Sequence, residues 1–159
     1  MTSAERDLWK ALPMPGVDFA ECAGTTDTYA TGTYAVDGLR AALSCPLTTS
    51  MIDQPIEYLT FADAASMDAY LQTVADRITE PGDCSAGHEE DGEWNVGTGP
   101  MLGRRVCAQE WATNGHFFTI SWASTSRLTV AVVRGSSPVA TYEWWVSSGA
   151  QFPTRSPGS

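Results

Sequence analysis

Four cysteines constrain this chain more than any other feature. Cys22 and Cys45 are 23 residues apart, Cys84 and Cys107 are again 23 apart, and the second pair follows the first by 62. None belongs to a CxxC, and His88 and His116 are the only histidines, so a zinc site is short of ligands and wrongly spaced. Four cysteines allow three connectivities; the equal spacing favours Cys22–Cys45 with Cys84–Cys107. Each bridge would stabilise the fold by about 3 kcal/mol in the chain-entropy treatment. Disulfides imply an oxidising compartment. Four free, buried thiols in a cytosolic protein are the alternative.

The spacing prompts a comparison of the two halves. Shifted by 62, Ile56–Phe61 lies over Phe118–Ala123, and Leu39–Cys45 over Met101–Cys107. Both pairs alternate as strands do. Leu8, Trp9 and Leu12 lie over Tyr70, Leu71 and Val74, at helical spacings. The expectation is two pseudo-repeated helix–strand–strand halves, about 4–61 and 66–123, followed by a C-terminal strand and helix. Two copies are a duplication and not a solenoid.

The expected elements are a helix over 4–12 stopped by Pro13 and Pro15, a loop over 16–36 tied down by Cys22, and strands over 39–45 and 56–61. Asp63 then caps a helix. Met67, Tyr70, Leu71, Val74 and Ile78 form its apolar stripe, and Glu80-Pro81-Gly82 ends it. An acidic loop follows over 83–100. Strands are expected at 103–111, 116–123 and 128–133, with a hairpin at Asn114-Gly115 and a last helix over 139–147. The sum is α+β: an antiparallel sheet of about five strands with helices on one face, forming a single domain over 1–150. Residues 151–159 read as a tail or linker.

The 159 residues include 19 acidic and 9 basic side chains, for a formal charge of −10. Arg104-Arg105 is the only adjacent basic pair; nucleic-acid binding needs clusters of such residues, so no nucleic acid is expected. No apolar run reaches membrane-spanning length. The stretch His88-Glu89-Glu90-Asp91-Gly92-Glu93 offers oxygen ligands of the kind calcium takes. It matches neither the EF-hand loop nor HExxH and reads as a solvated loop. Neither histidine has a recognisable nucleophile partner, and no GxSxG, SxxK or P-loop is present. No metal, cofactor or catalytic residue is expected. Trp122 alternates with Phe118 and Ile120 and belongs to the core. Trp144 and Trp145 point about 100° apart on a helix, so they cannot face the same way. Trp94 and Trp111 remain as surface residues on which a sugar or muropeptide could stack.

A wider pattern joins these features. It runs from the short helix with Leu12-Pro13 through Cys22, Cys45 and the segment Phe61-Ala62-Asp63-Ala64-Ala65-Ser66-Met67-Asp68-Ala69. It continues through Gly82-Asp83-Cys84, Trp94, Arg104-Arg105-Val106-Cys107 and Ile120-Ser121-Trp122 to Trp144-Trp145. Over roughly 7–148 this resembles the extracytoplasmic C-terminal domain of actinobacterial membrane-bound serine/threonine protein kinases and related membrane proteins. The resemblance implies a non-enzymatic sensor outside the cell. Its partner would be an extracellular ligand, a protein or a second copy in a homodimer, and one transmembrane segment would join it to a kinase. No kinase motif lies in this chain, and no signal peptide or anchor precedes it; the expectation is an excised ectodomain with an added Met1. Two other readings stand beside it. One is a cell-wall hydrolase using His88 or His116 with nearby carboxylates. The other is a free-standing acidic binding protein that takes basic partners.

Overall fold

Seven strands make one antiparallel sheet in the order β1-β2-β3-β7-β6-β5-β4. The structure is a computed structural model, and it describes residues 1–12, 16–31 and 35–149. Along the chain come α1 (Ser3–Ala11), β1 (Ala23–Gly24), α2 (Thr26–Ala30), β2 (Leu39–Cys45), β3 (Ile56–Phe61) and α3 (Ala64–Ala75). Then follow β4 (Glu90–Trp94), β5 (Gly103–Ala112), β6 (Gly115–Ser124), β7 (Thr129–Gly135) and α4 (Pro138–Trp144). A π turn over Trp145–Gly149 continues α4. No helix among the described residues is long and apolar enough to cross a membrane. The expected tail at 151–159 and the two prolines after α1 lie outside the described residues.

Local chemistry explains most element boundaries. Thr2 caps α1 and Glu5 returns the bond to the Thr2 N–H, closing a capping box. Asp63 caps α3 through the Ser66 N–H at 2.7 Å. That bond holds the Asp63 carboxyl below its ordinary pKa. Ser137 caps α4, with Pro138 in the first turn. A Cβ at Gly135 would overlap the Thr141 side chain, so the glycine lets α4 pack closely on β7. Thr113 and Asn114 form the hairpin loop, and Gly115 already pairs with Ala112. The Asn-Gly signal therefore marks the right hairpin one residue out of register.

The disulfides are Cys22–Cys45 and Cys84–Cys107, and no described cysteine is free. Cys22–Cys45 ties the segment before β1 to the end of β2. Cys84–Cys107 ties the 3-10 turn Cys84–Ala86 to the middle of β5.

Three expectations need correction. The sheet has seven strands rather than about five, because two edge strands lie inside segments that read as loops. β1 is only two residues long, and β4 is built largely from the acidic stretch. The helices cover both faces rather than one. Leu8 and Leu12 of the α1 region and Trp144 of α4 pack on one side with Leu43, Tyr58, Ile120 and Trp122. Met67, Leu71 and Val74 of α3 pack on the other with Leu59, Phe61, Val106 and Val130. Buried strands alternate core residues to both faces, so their apolar runs carry no information about where the helices go. The third concerns the repeat. With β7 between them, β3 and β6 run parallel, and β2 and β5 flank them in mirrored order. A rotation carrying one hairpin onto the other must exchange the faces of the sheet. Cys45 and Cys107 nevertheless lie in the same core, so the spacing of 62 does not correspond to a symmetry of the fold.

Candidate functional site

The two faces are finished differently. Under α1 and α4 the sheet is sealed by aromatic packing. Trp145 meets Trp94 and Trp122 edge-on, with ring centroids 6.3 and 6.2 Å away, a favourable aromatic geometry. The Arg105 guanidinium lies over the Trp145 ring at 4.9 Å. Trp144 and Trp145 are both buried, although a regular helix would point them apart; the helix changes to a π turn at Trp145.

The opposite face is only partly covered. Between α3 on one side and α2 with Ala35, Val36 and Asp37 on the other lies a cleft of about 1270 Å³. Its floor is the sheet itself, and four charged groups from separate elements are linked in a row. Arg134 of β7 donates through Nη1 to Glu57 of β3 at 2.9 Å and through Nε to Glu110 of β5 at 2.9 Å. Arg77, just past α3, reaches the other oxygen of Glu110 at 3.3 Å. The Tyr29 hydroxyl of α2 donates to Glu57. Such a row leaves no charge uncompensated on a half-dry surface, as burial requires.

The local field follows from this geometry. Burial disfavours the charged form of Arg134, but Glu57 and Glu110 outweigh it and hold its pKa above the ordinary value. Burial, followed by the charge of Glu57, pushes the Tyr29 phenol up. Burial also pushes Tyr70 up to about 12, although Arg134 pulls the other way. Both phenols are therefore hydroxyls throughout the physiological range. Among the described residues, Arg134 Nη2 and the Tyr70 hydroxyl have no hydrogen-bond partner, and both residues line the cleft. The cleft thus offers spare donors beside a compensated ion row, with apolar strips from Val36, Val74 and Val132.

Of the residues singled out from sequence, Trp111 and His88 border this cleft and Trp94 does not. Trp94 is only 2% exposed, and its Nε1 donates to the Ala123 carbonyl at 2.7 Å. It is a core residue and offers no ring face to a ligand. Its strand places it at the edge of the aromatic cluster, which a reading of 83–100 as loop could not anticipate. Trp111 is 80% exposed. Its ring stacks on His116 at 3.9 Å, and His116 Nε2 lies 2.9 Å from Gln109 Oε1. Trp111 lines the cleft, at its end, together with Gln109, Glu110, Ala112 and Thr113. His88 is exposed on the cleft rim.

The acidic stretch is structural rather than a solvated loop. Glu89 is buried and accepts from the Gln109 N–H at 3.2 Å. Glu90 accepts from the Cys84 N–H at 2.7 Å and pairs with Arg105. Asp91 takes a two-pronged contact from Arg104 at 2.8 Å. Among the described residues no group of three potential ligands could hold a metal ion.

Glu57, Arg134, Glu110, Arg77, Tyr29 and Tyr70 escaped the sequence reading. A signal was present: Glu57 and Arg134 sit in strands at positions where alternation puts a buried face, and an ionic group there is rarely left without a partner. Compared with protein-family models, curated proteins and solved structures, the chain matches none.

Proposed function

We propose that this domain is a non-enzymatic sensor or ligand-binding module working outside the cytoplasm, with the cleft beside α3 as its recognition site. The observation that carries the reading is the cleft itself. A fold sealed on one face and held by two disulfides leaves the other face open over spare hydrogen-bond donors. Large concave sites with a few convergent polar groups are where ligands bind. The oxidising chemistry of the disulfides supports placement outside the cytoplasm.

The finer reading follows the resemblance of the cysteine pattern and of the Phe61–Ala69 segment to kinase sensor domains. In that reading the domain is the ectodomain of a membrane-anchored serine/threonine kinase. The anchor lies in a part of the parent chain beyond this sequence, and ligand or partner binding, or self-association, shifts kinase dimerisation. Intact cells treated with a membrane-impermeant protease test it. Loss of the domain's epitope, with a membrane-embedded kinase fragment left behind, is the expected result. A protected, soluble epitope with four titratable thiols contradicts it.

His88 on the cleft rim keeps the hydrolase reading distinct. If the cleft is catalytic, His88→Ala abolishes turnover of cell-wall fragments. If it only binds, the wild-type protein returns every fragment uncleaved.

A further inference from the structure

Resting on the reading of the cleft as a binding site, we propose that its ligand is an extended cation, a flexible chain carrying two or more amino groups, as in a polyamine or a lysine-rich peptide. The balance of charge along the lining carries the inference. The described lining holds the carboxylates of Asp37, Glu80, Glu89 and Glu110 against the guanidinium groups of Arg77 and Arg134. Both guanidinium groups are already paired, Arg134 with Glu57 and Glu110, and Arg77 with Glu110. Asp37, Glu80 and Glu89 stand outside that row. Among the described residues, no basic side chain forms an ion pair with any of them. Glu89 is the strongest case, being only 5% exposed. Its oxygens accept from the main-chain N–H groups of Thr79 at 3.4 Å and Gln109 at 3.2 Å. Those bonds fill part of its acceptor capacity and bring no counter-charge. A buried carboxylate is rarely left without one, and this one lines an open cleft. An anion would have to displace carboxylates from both arginines, against a chain of net charge −10 that draws cations in.

The placement of the carboxylates selects the shape of the cation. Asp37 precedes β2 beside the start of α3, where Gly38 lies against Ser66. Glu80 and Glu89 lie past the other end of that helix, where Pro81 bridges to Glu89. The two groups are therefore separated by about the length of α3, roughly 18 Å for its 12 residues. A bare metal ion needs its ligands around one point, and among the described residues no three potential ligands gather in that way. A chain with its charges held apart fits the spread. Val36, Val74 and Val132 give apolar strips along the way, which suit methylene stems. The Tyr70 hydroxyl can accept from an amino group between the ends. At the end of the cleft, Trp111 is 80% exposed and has one ring face stacked on His116. Its other face can take an ammonium group. The volume of about 1270 Å³ exceeds the usual range for a single small ligand, as a long chain requires.

Isothermal titration calorimetry of the intact domain tests this with spermine and trilysine, the short diamine 1,4-diaminobutane, and triserine and citrate as neutral and anionic probes. Spermine or trilysine should bind in the millimolar range or tighter, and 1,4-diaminobutane at least tenfold more weakly. Binding of spermine alone points to a free polyamine and binding of trilysine to a peptide; either supports the proposal. Asp37→Asn with Glu80→Gln, both at exposed positions, should weaken binding tenfold or more. Trp111→Ala should weaken it about threefold. Asp7→Asn with Asp53→Asn removes the same charge from exposed positions outside the cleft and should change it less than twofold. If that control weakens binding as much as the cleft pair does, the attraction is to net charge alone and the proposal falls. If triserine or citrate binds instead, and Thr73→Trp at the cleft edge abolishes it, the cleft reading stands and the cationic class falls. If the cations bind equally well to Thr73→Trp, the site lies elsewhere and the cleft reading falls with the proposal. Absence of heat with both spermine and trilysine overturns the proposal.

Discussion

The two faces of one sheet carry opposite finishes. Under α1 and α4, tryptophans interlock and both disulfides anchor the packing. Under α3, the apolar contact stops partway across, and the sheet continues as a row of charged and hydroxyl side chains. The same strands supply both surfaces: Tyr58 and Ile120 point one way, Glu57 and Thr119 the other. The difference teaches that stability and recognition are divided by strand parity. One face can be dry and rigid because the other is not required to be.

That division is broken most severely from the sealed side. Trp122→Ala empties a fully buried site among Trp145, Ile120 and Tyr58. The expected loss is about 4 kcal/mol, read as a lower urea midpoint. Replacing Cys84 and Cys107 together by alanine frees the turn at Cys84 from β5 and is expected to lose about 3 kcal/mol. In that variant the open cleft should lose any bound ligand only in proportion to the unfolded fraction.

Glu5 is smaller in effect and sharpens the contrast by pH. It is buried and accepts from the Thr2 N–H at 2.6 Å and from the Thr26 hydroxyl at 2.6 Å. Desolvation raises its pKa, but the bonds from Thr26 and Thr2 prevail and hold it below the ordinary 4.5. A depressed carboxylate stabilises the fold above its unfolded pKa, and that contribution drains as pH falls through the folded value. Glu5→Ala is expected to lose about 2 kcal/mol at neutral pH. The gap between wild type and variant should be constant above pH 4.5 and shrink below it. A gap that widens in acid would contradict the assignment.

The smallest expected effect lies on the open face. Arg77→Ala removes an ion pair whose arginine side chain is 45% exposed. Its stability should change by about 0.5 kcal/mol or less, while cation binding in the cleft rises, because Glu110 loses that partner. A large loss of stability would make the row a structural prop and remove its role in recognition.

Legibility from sequence followed the same division. Local rules were readable: the Asp63 cap, the strands around Leu39–Cys45 and Ile56–Phe61, and the cysteine pairing all depend on near neighbours or fixed spacing. The faces were not. Buried strands look alike on both sides, so nothing in Leu59 or Tyr58 says that α3 covers one and α1 and α4 the other. The cleft was invisible because its charged row is drawn from three strands and a helix end. Only the strand order β3-β7-β6-β5 brings them together. Trp94 misled for a related reason: a lone aromatic after an acidic stretch looks exposed until β4 pairs with β5 and turns it inward.

One spectrum reads both faces at once. In a ¹⁵N–¹H correlation spectrum of the domain, the indole N–H signals of Trp94, Trp122, Trp144 and Trp145 report the sealed face, and the Nε–H signals of Arg77 and Arg134 report the open one. Titration with a molecule that binds in the cleft should shift the arginine signals and leave the four indoles in place. Indole signals that move while the arginines stand still would contradict the division of labour between the two faces.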